Sequence, residues 1–231
     1  MSGLDVNTGL WLLLAVCGSV VGLDAVSWPQ VMISRPIVAA TLGGALLGDP
    51  AAGFLVGAVL EIFGLGHTPY GAAVYPETGP AGLVAGAGLA SSGDPTVGAI
   101  LIAASSGWVI GWIGAASVRV QRRINERLVF SDALATVPRR LERRHRLAMV
   151  LDALRGGTLT AAFAIPVMVL VRSVGSLPAG EEVTTASAVF MAGMALAGGV
   201  GAGVMRRHGR VIAFLLAGVA VALLLILTTH G

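Results

Sequence analysis

The chain has 231 residues, 55% of them hydrophobic and 12% charged, with a mean hydropathy of +0.86. A soluble domain carries about 25% charged residues, so this composition excludes an ordinary water-soluble globule and points to lipid as the main solvent. The basic balance does not signal a nucleic-acid partner: there is no Lys, and ten of the fifteen arginines lie between Arg119 and Arg155, where four acids leave a net +6 against −3 elsewhere.

The apolar runs are continuous rather than alternating, which predicts helices and not the strands of a barrel. Crossing a bilayer takes about 20 residues per helix. The expected fold is all-α: a polytopic membrane protein with several transmembrane helices plus broken or re-entrant helical segments. We read residues 1–231 as a single membrane domain. It divides into an N-terminal half (1–118), an Arg-rich amphipathic insertion (119–146) and a C-terminal half (147–231).

In chain order, the first apolar segment covers 9–26 and contains the lone Cys17, expected to pack as a small apolar residue. With no basic leader before it, this segment reads as a retained span rather than a cleaved signal. Asp24, Ser27, Trp28, Pro29 and Gln30 interrupt it. Apolar runs follow at 35–47, 51–66 and 81–90, separated by the turn Gly48-Asp49-Pro50 and by the segment HTPYGAAVYPETGP. Each is short for a span, and short Gly/Pro-interrupted segments mark the broken helices that line transporter sites. The turn Gly93-Asp94-Pro95 echoes Gly48-Asp49-Pro50. That echo reads either as an internal repeat or as one turn-plus-helix-start signal used twice.

Residues 97–118 predict a clear span. Beyond it Val120, Ile124 and Leu128 recur at helical spacing among Arg and Glu, an amphipathic helix that Pro138 ends before a second one. These helices are expected on the membrane surface, their arginines on anionic lipid, with a docking face for a partner as the other reading. Spans are predicted at 147–171, 184–205 and 211–228. The two Arg-rich stretches, 119–146 and 206–210, are separated by two spans and share one side, which the positive-inside rule makes cytoplasmic. The pairs Gly44/Gly48, Gly53/Gly57, Gly107/Gly111 and Gly199/Gly203 allow close helix contact, within the chain or with a partner.

Glu61 is the most informative side chain. It lies within LVGAVLEIFGLG, where a carboxylate costs several kcal/mol unless paired or hydrated. Such residues line polar pathways, and a carboxylate accepts well from sugar hydroxyls. The competing account is a structural partner for Arg35, or a bond to backbone. Glu77 is the second candidate, with a helix-start cap as its other reading. His67, Tyr70 and Gln30 could supply further donors and acceptors. No metal spacing, nucleophile elbow or phosphate-binding Gly-Lys motif occurs. No catalytic residue, metal site or cofactor is therefore expected, nor a phosphorylated residue of the chain's own.

One resemblance covers about sixty residues. Arg35-Pro36, Thr41, Gly48-Asp49, Gly53, Gly57, Leu60-Glu61, Leu65-Gly66, Gly71-Ala72-Ala73 and Pro76-Glu77 follow in order and spacing. This frame resembles the N-terminal half of the IIC subunit of mannose-family phosphotransferase-system transporters. From residue 100 onward the likeness is one of hydropathy and length. The resemblance implies a non-catalytic subunit in the bacterial inner membrane that binds and conducts a hexose. It implies a second membrane subunit, IID, a cytosolic IIB that phosphorylates the arriving sugar, and IIA feeding IIB. It carries Glu61 and Glu77 over as sugar ligands. Family members often have Asp at the position of Glu77, and some have a polar residue where Pro69 stands. The small-residue faces predict hetero- or homo-oligomeric assembly in lipid. Rival readings are a facilitator or secondary carrier without phosphoryl partners, and a non-transporting scaffold or sensor.

Overall fold

The computed structural model describes residues 8–64, 75–93, 95–130 and 138–174. Among them are six helices and no strand: α1 (Thr8–Val26), α2 (Pro36–Leu46), α3 (Pro50–Gly64), α4 (Thr78–Ala90), α5 (Val97–Phe130) and α6 (Pro138–Val174). The expected spans at 184–205 and 211–228, the Gly199/Gly203 pair and the arginines of 206–210 lie outside the described residues, as do His67 and Tyr70.

Among the described residues, three helices are long and apolar enough to cross a bilayer: α1, and the stretches Gly98–Leu128 of α5 and Leu141–Ser173 of α6. The 11-residue α2, the 15-residue α3 and the 13-residue α4 are shorter than a span, as the broken-helix reading expects.

The short helices begin and end where the sequence supplies local chemistry. Pro36 opens α2 at its first position, where a missing N–H costs nothing. After α2, Gly48 takes a left-handed φ of 87° that residues with a Cβ rarely adopt. Asp49 Oδ1 then accepts from the Ala52 amide at 2.9 Å and caps α3. Gly93 likewise has a left-handed φ, of 77°, and Thr96 Oγ1 accepts from the Ala99 amide at 3.2 Å. The helices that follow the two glycines differ widely, 15 residues against 34.

α4 is the centre of the bundle. It touches all five other described helices, and every residue from Gly79 to Ala90 is buried. Its sequence, TGPAGLVAGAGLA, is apolar or small on every face, as such a position demands. Small residues let its neighbours approach at backbone distance. A Cβ at Gly43 of α2 would collide with the Leu83 carbonyl, and one at Gly86 of α4 with the Ala40 carbonyl. Gly44 and Gly53 meet in the same way between α2 and α3, and Gly18 and Gly156 between α1 and α6. At the far end of α4, Arg172 Nε donates to the Ser91 carbonyl at 2.6 Å, placing a cation at the negative end of the helix.

The amphipathic insertion differs from expectation. Residues 119–130 are not a separate surface helix but the continuation of α5, and 138–146 open α6. No breaker separates residues 118 and 119, so the spanning helix simply continues into Arg-rich sequence. At 34 and 37 residues, α5 and α6 run about 50 Å and 55 Å, well beyond a hydrocarbon core of about 30 Å. Their Arg-rich ends meet where Arg144 Nη1 donates to the Leu128 carbonyl at 2.8 Å. Pro138 does open the second helix, as the sequence predicts.

Candidate functional site

Two Arg–Glu pairs mark the polar interior, and the sequence analysis named both carboxylates. Glu61, on the last turn of α3, is paired with Arg35 at the start of α2. Its other oxygen accepts from the Ile37 amide at 3.3 Å, satisfying a free N–H of the first turn of α2. The pair is open: the side chains retain 54% (Arg35) and 20% (Glu61) of their surface. Arg35 is the structural partner that the sequence analysis offers as one alternative to a sugar ligand.

Glu77 lies deeper. It occupies the N-cap position of α4 in an extended conformation, yet its side chain makes no cap bond. Its amide donates to the Gly111 carbonyl at 2.9 Å, fixing the start of α4 against α5. The carboxylate turns to Arg155 of α6, which donates from Nη1 to Oε2 and from Nη2 to Oε1, the latter at 2.7 Å. This two-pronged pairing matches the guanidinium fork to the carboxylate. Both side chains are buried, at 9% (Arg155) and 2% (Glu77) exposure.

Arg155 is the functional candidate that sequence reasoning missed. The sequence analysis counts it in the charge of the stretch Arg119–Arg155 and gives it no role of its own. The signal was available, because Asp152 and Arg155 both fall inside the apolar run 147–171, where ionisable groups are rare. Arg155 also donates from Nε and Nη2 to Asp152 Oδ1 at 3.1 and 2.8 Å, and from Nη1 to Ser117 Oγ at 3.0 Å. Ser27 Oγ donates to the other Asp152 oxygen at 2.7 Å. The network thus ties α4, α5 and α6 to the segment after α1.

That segment is organised by Asp24, a second missed residue. Asp24 is buried, and its two oxygens accept from the Val31 and Ser34 amides at 2.7 and 2.9 Å. These bonds hold a loop in which Gln30 and Met32 have left-handed φ values of 59° and 68° and the Trp28–Pro29 peptide is cis. Ser34 in turn accepts at its carbonyl from Thr78 Oγ1 at 3.0 Å, joining the loop to the start of α4. Gln30 is exposed, and its side-chain amide donates to the Val26 carbonyl at 3.4 Å. The described structure does not join it to either carboxylate.

Two small cavities flank Glu77. One, of about 20 Å³, is lined by Pro36, Leu60, Glu77, Trp108 and Gly111, among others. The other, of about 40 Å³, is lined by Val26, Tyr75, Glu77, Val118 and Arg122, among others. A water needs at least about 10–15 Å³, and ligand pockets run from about 300 Å³. As lined by the described residues, these two cavities therefore admit water but not a sugar. Pro36 and Leu60, which line the first cavity with Glu77, are chain neighbours of Arg35 and Glu61. Trp108 forms an aromatic wall there, edge-on to Phe63 at 5.8 Å and to Trp112 at 6.3 Å. Trp108 and Trp112 stand one helical turn apart, a spacing visible in the sequence.

A family model described as the phosphotransferase-system sorbose-specific IIC component matches residues 9–229. The chain belongs to that family. Among individual relatives, the sorbose-specific EIIC component of Lacticaseibacillus casei is 36% identical over 67 residues, which is 29% of this chain and 24% of that protein. The mannose-specific EIIC component of Escherichia coli K12 is 29% identical over 96 residues, 42% of this chain and 35% of that one. The matched stretches thus span between a quarter and about a third of these relatives' lengths. A solved structure described as "Structure of membrane protein" superposes with a TM-score of 0.64 at 21% identity, covering 98% of this chain and 94% of the other. At that identity the likeness is one of fold. The mannose-family resemblance drawn from the motif frame is therefore shown, and the chain is a helical membrane protein of the IIC family.

Proposed function

We propose that this chain is the sugar-binding and sugar-conducting IIC subunit of a phosphoenolpyruvate-dependent, mannose-type phosphotransferase transporter. In this reading it moves a hexose across the bacterial inner membrane, alongside a IID subunit, for phosphorylation by IIB charged from IIA. The carrying observation is Glu77: a buried carboxylate at the N-terminus of the central helix, bordered by two cavities and a tryptophan wall. Carboxylates at membrane depth are costly and usually functional. Glu77 and Glu61 can each accept two hydroxyl donors, and the Trp108 ring offers an apolar face to a sugar ring.

Placement supports the direction of transport. Ser117 of the Glu77 network stands two residues before Arg119, and Arg122 lines a cavity with Glu77. By the positive-inside rule the Arg-rich ends of α5 and α6 face the cytoplasm. A sugar released from Glu77 at that end meets a cytosolic phosphoryl donor without recrossing the bilayer. In the described structure both carboxylates are neutralised by arginine.

That same neutralisation favours the rival scaffold reading, in which both pairs merely hold helices together. Uptake of labelled sugar separates the two. With IID, IIB and IIA supplied, Glu61→Gln and Glu77→Gln should each sharply lower accumulation of sugar phosphate per folded molecule in the membrane. Full retention of transport in both variants would leave the pairs structural.

A further inference from the structure

Glu77 and Arg155 are held unequally. Arg155 has its own supports: Asp152 accepts from two of its nitrogens and Ser117 from a third position of contact, at 2.8–3.1 Å. Asp152 is itself fixed by the Ser27 hydroxyl. For Glu77, the recorded side-chain partner among the described residues is Arg155, with no cap bond to α4. The orientation of the Glu77 carboxylate is therefore set from α6. If Glu77 turned away, Arg155 would keep an anion beside it; if Arg155 were lost, Glu77 would keep no recorded side-chain partner among the described residues.

This asymmetry has a consequence for ligand binding. A buried guanidinium stripped of all anionic partners is expensive, so a carboxylate that is an arginine's sole counter-ion cannot be released to a neutral ligand. Asp152 removes that obstacle. We propose that Arg155 is the positioning residue for Glu77 in sugar recognition. It aims the carboxylate between the two cavities in the empty state and yields it to sugar hydroxyls on binding, while Asp152 and Ser117 retain the guanidinium. The inference rests on the reading of Glu77 as a sugar ligand.

The role requires the planar fork, because one guanidinium serves two carboxylates and a hydroxyl at once. Lysine keeps the charge but not the fork. Asp152→Asn acts in the opposite sense to Arg155→Gln: it leaves Glu77 as the main anion for Arg155, so the pair holds more tightly against the sugar.

The test measures phosphorylation of radiolabelled mannose, glucose and glucosamine by the intact chain with IID and IIB in membranes. KM and kcat are taken per folded molecule, with membrane level and thermal midpoint recorded for each variant. Arg155→Lys and Asp152→Asn should each raise KM about tenfold or more with kcat little changed, the signature of lost binding rather than lost chemistry. Arg155→Gln should raise it further, and Glu77→Gln/Arg155→Gln should be no worse than Glu77→Gln alone, because Arg155 acts through Glu77. If Arg155→Gln does not accumulate, Arg155→Lys and the neutral double variant carry the test. Variants that lower only the thermal midpoint or membrane level, with KM unchanged, would overturn the positioning role. So would additive losses in the double variant. An unaffected KM in Glu77→Gln would instead remove Glu77 from the sugar site, and this inference with it.

Discussion

Arg35–Glu61 and Arg155–Glu77 are the same chemical pair in two settings. The first joins the start of α2 to the end of α3, with more than half of the arginine surface open. The second lies at the hub of the bundle, with both side chains almost wholly enclosed. Where such an open pair faces water it contributes about 0–1 kcal/mol, because solvent screens the charges and two long side chains lose freedom. Breaking an enclosed pair by removing one partner costs about 3–5 kcal/mol, because a charge is stranded away from water. The comparison teaches that stability and function are separable at Glu61 but entangled at Glu77. A variant at Glu61 tests the sugar path nearly free of folding effects, whereas one at Glu77 or Arg155 must be read beside a stability measurement.

The comparison breaks most visibly at Arg155. Arg155→Gln should destabilise the chain by about 3–5 kcal/mol, seen as a large fall in the thermal midpoint in detergent. The neutral double variant Glu77→Gln/Arg155→Gln should recover much of that loss. A double variant as unstable as the single would mean that packing, not the stranded charge, governs the site.

Next in size is the contact that carries the hub itself. Gly86→Ala places a Cβ against the Ala40 carbonyl, which is backbone and cannot yield cheaply. A loss of about 1–3 kcal/mol is expected from this overpacking, measured by the same thermal unfolding. Gly64→Ala, where a Cβ would meet none of the described residues, is the matched control. Equal effects at the two positions would contradict the close packing of α2 on α4.

A smaller effect is expected at the turn before α3. Asp49→Ala removes the cap on the Ala52 amide and should cost about 1 kcal/mol. Asp49→Asn and Asp49→Ser should restore most of it. Smallest of all, Arg35→Gln should change stability by no more than about 1 kcal/mol. A large loss there would show that the Arg35–Glu61 pair is enclosed by protein or lipid rather than open.

Much of the helical framework was legible because its boundaries are made by local chemistry. Pro36, Gly48-Asp49-Pro50 and Gly93 announce where α2, α3 and α4 stop or start, and the structure uses each as the sequence suggests. Glu61 and Glu77 stood out because lone carboxylates in apolar sequence demand a reason. What was not legible was partnership across distance. Arg155 meets Glu77 from 78 positions away, and one arginine among ten in a basic stretch looks like its neighbours until Asp152 and the apolar run around it are weighed. Asp24 looked like an interruption of α1, but it is the post around which the following loop is built. The continuity of α5 was hidden for another reason. Composition changes sharply at Arg119 while helical periodicity does not, and the backbone follows the periodicity.

The most direct test of the central claim is accumulation of labelled hexose phosphate in cells lacking their own mannose transporter. These cells would express this chain with IID, IIB and IIA, and wild type would be compared with Glu61→Gln at matched membrane levels. The account predicts sugar phosphate that depends on IIB and is lost in Glu61→Gln while the thermal midpoint of the chain stays nearly unchanged. Uptake of unphosphorylated sugar that proceeds without IIB would contradict it and make the chain a facilitator, and transport undiminished by Glu61→Gln would take that carboxylate off the sugar path.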